Sequence, residues 1–133
     1  MAAINDLETL IKHADPRLAE GLFVFTSIPG ARYGDLASLD PVAMIQEKEG
    51  LAMLIDQSTA HKAGLDSGRP FCLISLSVHS DLNAVGLTAA ISACLAEQGI
   101  PANLFAGYFH DHILVPAECA DQAMRSLRQL GRK

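Results

Sequence analysis

Cysteine is scarce and unpaired in pattern: Cys72, Cys94 and Cys119 are odd in number, widely spaced and set in apolar surroundings. With no CxxC pair, the chain offers neither a zinc-type thiolate site nor a disulfide-exchange motif, and the three read as small buried hydrophobes. Positive charge is also short, with 10 Lys and Arg against 15 Asp and Glu and a net charge of −5. The one basic cluster is Arg125, Arg128, Arg132 and Lys133, which is too little to neutralise a run of phosphates, so nucleic acid is not expected as a partner. No apolar run approaches the roughly 18 residues needed to span a bilayer, and no membrane partner is expected. The start, Met1 to Glu8, is acidic and lacks the cationic segment of an export signal, so a cytoplasmic location is expected. No GxxxxGKS loop, GxGxxG turn, GxSxG elbow or HExxH helix is present, so the chain is expected to be no enzyme and to need no cofactor. At 133 residues a large enzyme with separate cofactor and substrate domains is excluded, whereas two modules of about 60 residues fit.

Half the residues are hydrophobic, enough to offset the entropy of folding, so a packed domain is expected. Asn5, with Glu8 as its reciprocal partner, is positioned to cap a short helix whose stripe is Leu7, Leu10 and Ile11. Residues 21–28 read as a strand ended by Pro29-Gly30, and 31–40 as a long loop. A hairpin follows at 42–47 and 51–56, with Gly50 supplying a positive φ, and Glu47 and Glu49 reading as its solvated tip. Ser58 or Thr59 then caps a brief helix closed by Gly64.

The strongest strand is 71–79, with Cys72, Ile74, Leu76 and Val78 on one face and Phe71, Leu73, Ser75, Ser77 and His79 on the other. A helix is expected from Ser80 or Asp81 to Gln98, apolar over most of its circumference and so covered on more than one side. Strands at 101–109 and 112–115, joined at His110-Asp111, precede a final helix opened by Pro116. Residues 22–64 run strand, loop, strand, strand, helix, and 71–130 run strand, helix, strand, strand, helix, a degenerate internal repeat.

A βαββ unit with right-handed crossovers builds a ferredoxin-like half whose helices cover one face. The end of strand 71–79, the start of the next helix and the turn at 110–111 then lie at one end of the sheet. That places His79, Ser80, Asp81, Asn83, His110, Asp111 and His112 together, beside helix N–H groups that suit a carboxylate.

The stretch LSVHSDLNAVGLTAAISACLAEQGIPANLFAGYFHDHILVP at 76–116 resembles the second ACT domain of aspartokinase-type regulatory modules. Leu22 to Phe25 and IQEKEGLAMLI at 45–55 are similar to the first module of small stand-alone tandem ACT proteins. The resemblance implies an α+β fold of tandem ACT-like, ferredoxin-like βαββα modules with antiparallel sheets covered by helices on one face. The modules would be 1–66, including the docking helix, and 67–133. It implies a non-catalytic regulatory protein that binds an amino acid or related carboxylate between its halves or across a homodimer. By position, the ligand residues implied are Val78, His79, Ser80, Asp81, Asn83, Val85 and Gly86, with Asn103 and Gly107.

Blander readings compete with these. Asp81 is equally an N-cap, and Gly86 inside a helix costs up to about 1 kcal/mol unless a backbone or ligand approaches it closely. The HSD at 79–81 cannot converge as a triad from consecutive positions. His79, His110 and His112 offer an alternative metal site, and a ligand-free homo-oligomeric interaction module is the other alternative.

Overall fold

The computed structural model describes residues 2–65 and 67–132. Met1, Asp66 and Lys133, which enter the expectations above at the acidic start, the module boundary and the basic cluster, lie outside them. In chain order the elements are α1 (Leu7–Lys12), β1 (Pro16–Leu18), β2 (Phe23–Ile28), β3 (Ala43–Glu47), β4 (Gly50–Asp56), α2 (Gln57–Lys62), β5 (Phe71–Leu76), α3 (Leu87–Glu97), β6 (Asn103–Ala106), β7 (Asp111–Pro116) and α4 (Ala120–Leu130). Single 3-10 turns stand at Ala37–Leu39 and Ala117–Cys119.

The chain divides into two compact units, Gly21–Phe71 on one hand, and the residues up to Glu20 together with those from Cys72 onward on the other. The inserted unit is an antiparallel sheet in the order β3-β4-β2, with α2 packed on it. The hairpin is present as the sequence implies, but Gly50 is the first residue of β4 and pairs with Glu47 instead of lying in the turn, which is left to Lys48 and Glu49; Glu47 and Glu49 are exposed. Val24, Leu51, Met53, Ile55 and Ala60 form the core, and the loop residues Ala31, Leu36 and Leu39 pack against it where a crossover helix would lie. Gln46 ties that loop down, its side-chain amide donating to the Ala31 carbonyl at 3.1 Å and its backbone N–H to the Tyr33 hydroxyl at 3.1 Å. The helix cap is Asp56 rather than Ser58 or Thr59: its carboxylate accepts from both of their backbone N–H groups, at 2.9 and 3.2 Å. A carboxylate at the chain's exit from β4 reaches the first-turn amides before either hydroxyl can.

The other unit carries the order β5, α3, β6, β7, α4 that the sequence implies, with strand neighbours β1-β5-β7-β6. Leu76 of β5, Leu87 and Ile91 of α3 and Leu127 of α4 line one small void, so the Cys72, Ile74 and Leu76 side of β5 faces the helices. Cys72 is buried, and burial followed by the charge of Asp121 pushes its thiol pKa up, consistent with a packing role.

Two elements differ from expectation. The short β1, unmarked in the sequence, pairs antiparallel with β5, Arg17 opposite Ser75. By contacts α1 clusters with α3, in the unit that includes the residues from Cys72 onward. The cap of α1 is Asp6, not Asn5, and it accepts from the Thr9 N–H at 3.0 Å and the Thr9 hydroxyl at 2.6 Å.

Candidate ligand site

β5 ends at Leu76, and the ten residues from Ser77 to Gly86 form a loop instead of the expected early helix turn. Asp81 is not the cap of α3. Its side chain accepts from the Asn83 N–H at 2.9 Å and its carbonyl from the Ala84 N–H at 2.9 Å, closing a local turn. Aspartate competes with helix in this way because its short carboxylate reaches the backbone two residues on. The chain then reverses at Gly86, with φ +105°, and α3 begins at Leu87. Leu87, Ile91 and Leu95, four residues apart, are its buried stripe; Ala89, Ala93 and Ala96 are exposed, so the helix is not covered on more than one side. No side chain caps α3, so its first-turn N–H groups have no capping side chain.

The loop is held from one side by the N-terminal segment. The Ile4 N–H donates to the His79 carbonyl at 2.9 Å, and the Asp81 N–H donates to the Ile4 carbonyl at 2.7 Å, forming a parallel bridge of Ile4 with Ser80. Leu7 closes on Gly86, where an added Cβ would lie 2.9 Å from its Cδ2. The close approach inferred at Gly86 is therefore made by a leucine side chain, and Gly86 stands at the N-cap instead of inside the helix.

The β6–β7 hairpin holds it from the other side. Ser80 Oγ donates to Asp111 Oδ2 at 2.8 Å, His110 Nδ1 lies 3.4 Å from the Val78 carbonyl, and the His79 ring lies 5.0 Å from that of Phe109. Val78, His79 and Ser80 are buried. Asn83 and Val85 are exposed, Val85 at 84%, together with Leu82, Tyr108 and Phe109. Gly107, at the hairpin turn, leaves room for His112, whose Nε2 would be 3.1 Å from an added Cβ. Asn103 stands four residues earlier on β6, about 13 Å from the turn at strand rise. The structure thus joins Val78, His79, Ser80 and Asp81 to His110 and Asp111, and puts Asn103 at the opposite end of β6.

Ser75 and Phe105 were not singled out from sequence. Ser75 Oγ and His112 Nδ1 are 2.7 Å apart, and the Phe105 and His112 rings stack at 4.9 Å. The signal available was alternation, since Ser75 lies on the mixed face of its strand. Among the described residues no group of three His, Cys, Asp or Glu side chains is placed to hold a metal ion, so the metal alternative for His79, His110 and His112 is set aside.

Burial holds the His112 imidazole below its ordinary value of 6.5, with the neighbouring His110 acting in the same direction and Asp111 opposing. The unfolded chain then takes up this proton first, so the contribution is intact above pH 6.5 and is lost as pH falls below it. The melting temperature should drop between pH 7 and pH 5 more steeply in the wild type than in His112→Asn, which keeps a hydrogen-bonding group for Ser75. Parallel profiles would assign the acid sensitivity to other groups.

Family models described as ACT domain match residues 2–72 and 69–129. The chain belongs to the ACT domain family. Its fold is accordingly tandem and ferredoxin-like, in the α+β class, with ACT repeats meeting near residue 70. A solved Vibrio cholerae protein of unknown function is 46% identical, with a TM-score of 0.85, covering 94% of this chain and 95% of that one. The regulatory subunit of aspartate kinase from Thermus flavus has 15% identity and a TM-score of 0.64, over 87% of this chain and 96% of that one. An Agrobacterium tumefaciens protein reaches a TM-score of 0.72 at 14% identity, over 88% of both chains. The last two show likeness of fold. No curated protein matches the chain.

Proposed function

We propose that this ACT protein is a non-catalytic regulatory module that binds a small amino acid or related carboxylate beside the 77–86 loop. Its ligand residues are Val78, His79, Ser80, Asp81, Asn83, Val85 and Gly86, with Gly107 from the hairpin and Asn103 as the outlying member. The observation that carries the reading is the uncapped start of α3 at Gly86, which ends a loop that carries Asp81 and is hydrogen-bonded through Ser80 to Asp111 of β7. First-turn N–H groups suit the ligand carboxylate, and either aspartate has an oxygen available for the ammonium. The architecture of the aspartate kinase regulatory subunit supports a regulatory role by likeness.

The module boundary we propose at 66/67 is supported by family matches that meet at 69–72. A homodimer is part of the same reading, supported by the edge strand β3, where Ile45 is 64% exposed. Three free cysteines fit a reducing, cytoplasmic setting. No described helix is long and apolar enough to cross a membrane.

A thermal-shift screen of individual amino acids and simple carboxylates tests the function. One or a few should raise the melting temperature by several degrees, since a ligand at a hundredfold its Kd adds about 2.7 kcal/mol. A flat response at 10 mM for every compound, with a dimer still seen by light scattering, would favour the ligand-free interaction module (about 10 mM being the order of weak metabolite binding).

A further inference from the structure

The C-terminal basic cluster has a structural setting that the ACT reading does not use. A groove of about 690 Å³ opens between the end of α1, the turn into β1 and the last turn of α4. Lys12, Arg17, Arg128 and Arg132 all line it, four of the ten Lys and Arg residues in a chain whose net charge is −5. The one carboxylate in the lining is Asp15, which accepts from Arg17 Nε at 3.1 Å and Nη2 at 2.9 Å. Lys12, Arg128 and Arg132 have no acidic partner among the described residues. Ile11 and Leu127 supply apolar wall.

Two of these cations have a plain structural use, because Lys12 and Arg128 sit in the last turns of α1 and α4 and offset the helix dipoles. That use does not extend to Arg17, which is on a strand, nor to bringing four like charges to one groove. Convergent like charges repel, and an anion in their midst removes the repulsion. Three of the four are guanidinium groups, whose planar forks match phosphate oxygens two at a time. The groove volume lies in the range of small-molecule sites.

From this placement we infer that the α1–β1–α4 groove binds a small oligophosphate, either free or carried by a nucleotide. The site is separate from the 77–86 loop and stands or falls independently of the amino-acid reading.

The test is calorimetric titration of the full chain with inorganic tripolyphosphate and with ATP, at low and at high sodium chloride. Both probes should bind, with affinity falling as salt rises; tighter binding of ATP would assign the apolar wall to the nucleoside, and equal binding would assign the site to oligophosphate alone. Either result supports the proposal. Replacing Arg128 and Arg132 together by Gln should weaken binding about tenfold or more, since two charge-assisted contacts are removed. Lys48→Gln, at the exposed tip of the β3–β4 hairpin, should leave it unchanged. Arg17→Gln provides a second variant in case the double change lowers stability, which circular dichroism melting would reveal. No binding of either probe at low salt, or unchanged affinity in both variants, would overturn the proposal. So would tighter binding of a random single-stranded oligonucleotide than of either probe, which would make the groove a polyanion surface.

Discussion

Replacing Gly50 by alanine is expected to destabilise the protein by about 3 kcal/mol or more, the largest effect of any single methyl group argued from this structure. Gly50 begins β4 with φ +151°, and an added Cβ would overlap the Ile28 carbonyl oxygen, lie 2.8 Å from the carbonyl carbon and 3.0 Å from Pro29 Cα. All three are backbone atoms at the end of β2, whose Ile28 pairs with Leu51. Relief therefore requires the two strands to separate, which would loosen the packing of Leu51 and Met53 in the same sheet. Urea unfolding by circular dichroism measures it directly. A midpoint within error of the wild type would show that the strand ends are free to move apart.

Substituting Gly86 tests stability and the proposed site together. Leucine favours helix interiors, but Gly86 precedes the helix at φ +105°, where any side chain is strained. A Cβ there also meets Leu7 Cδ2 at 2.9 Å. The expected loss for Gly86→Ala is about 2–3 kcal/mol, combining backbone strain and overpacking. The two causes separate in a cycle with Leu7→Ala. Leu7→Ala makes space for the new methyl but leaves φ positive, so the double variant should recover only the overpacking part relative to Leu7→Ala alone. Full additivity of the two losses would mean that Leu7 and position 86 do not meet. Gly86→Leu, in turn, should abolish the amino-acid thermal shift by displacing Leu7 and distorting the turn that presents the uncapped amides of α3. If the shift persists in a folded Gly86→Leu protein, the ligand binds elsewhere.

The extent to which the site was legible follows from where its determinants lie. Alternation in 71–79 identified the helix-facing side of β5, and the spacing of Leu87, Ile91 and Leu95 identified α3 with its last turns. The start of α3 was misplaced by five residues, cap to cap, because Asp81 is a good cap by residue type, and residue type does not tell a helix cap from a turn of its own. The hairpin contacts of Val78 and Ser80 with His110 and Asp111 were legible, since they follow from the order βαββα and the handedness of its crossovers.

The sequence by itself determined the order of the strands and helices apart from β1, the presence of the β3–β4 hairpin with a positive φ at Gly50 and the membership of the ACT family, because each depends on residues within a few positions of one another or on the repeat as a whole. Tertiary structure alone decided that β1 pairs with β5, that Ile4 bridges to Ser80, that Leu7 covers Gly86 and that Lys12 and Arg17 meet Arg128 and Arg132. These pairings join segments roughly 60 to 120 residues apart, three or four residues at a time. Segments that short carry no periodicity of their own, and only the hydrogen bonds and apolar contacts offered by a formed sheet and helix select their place.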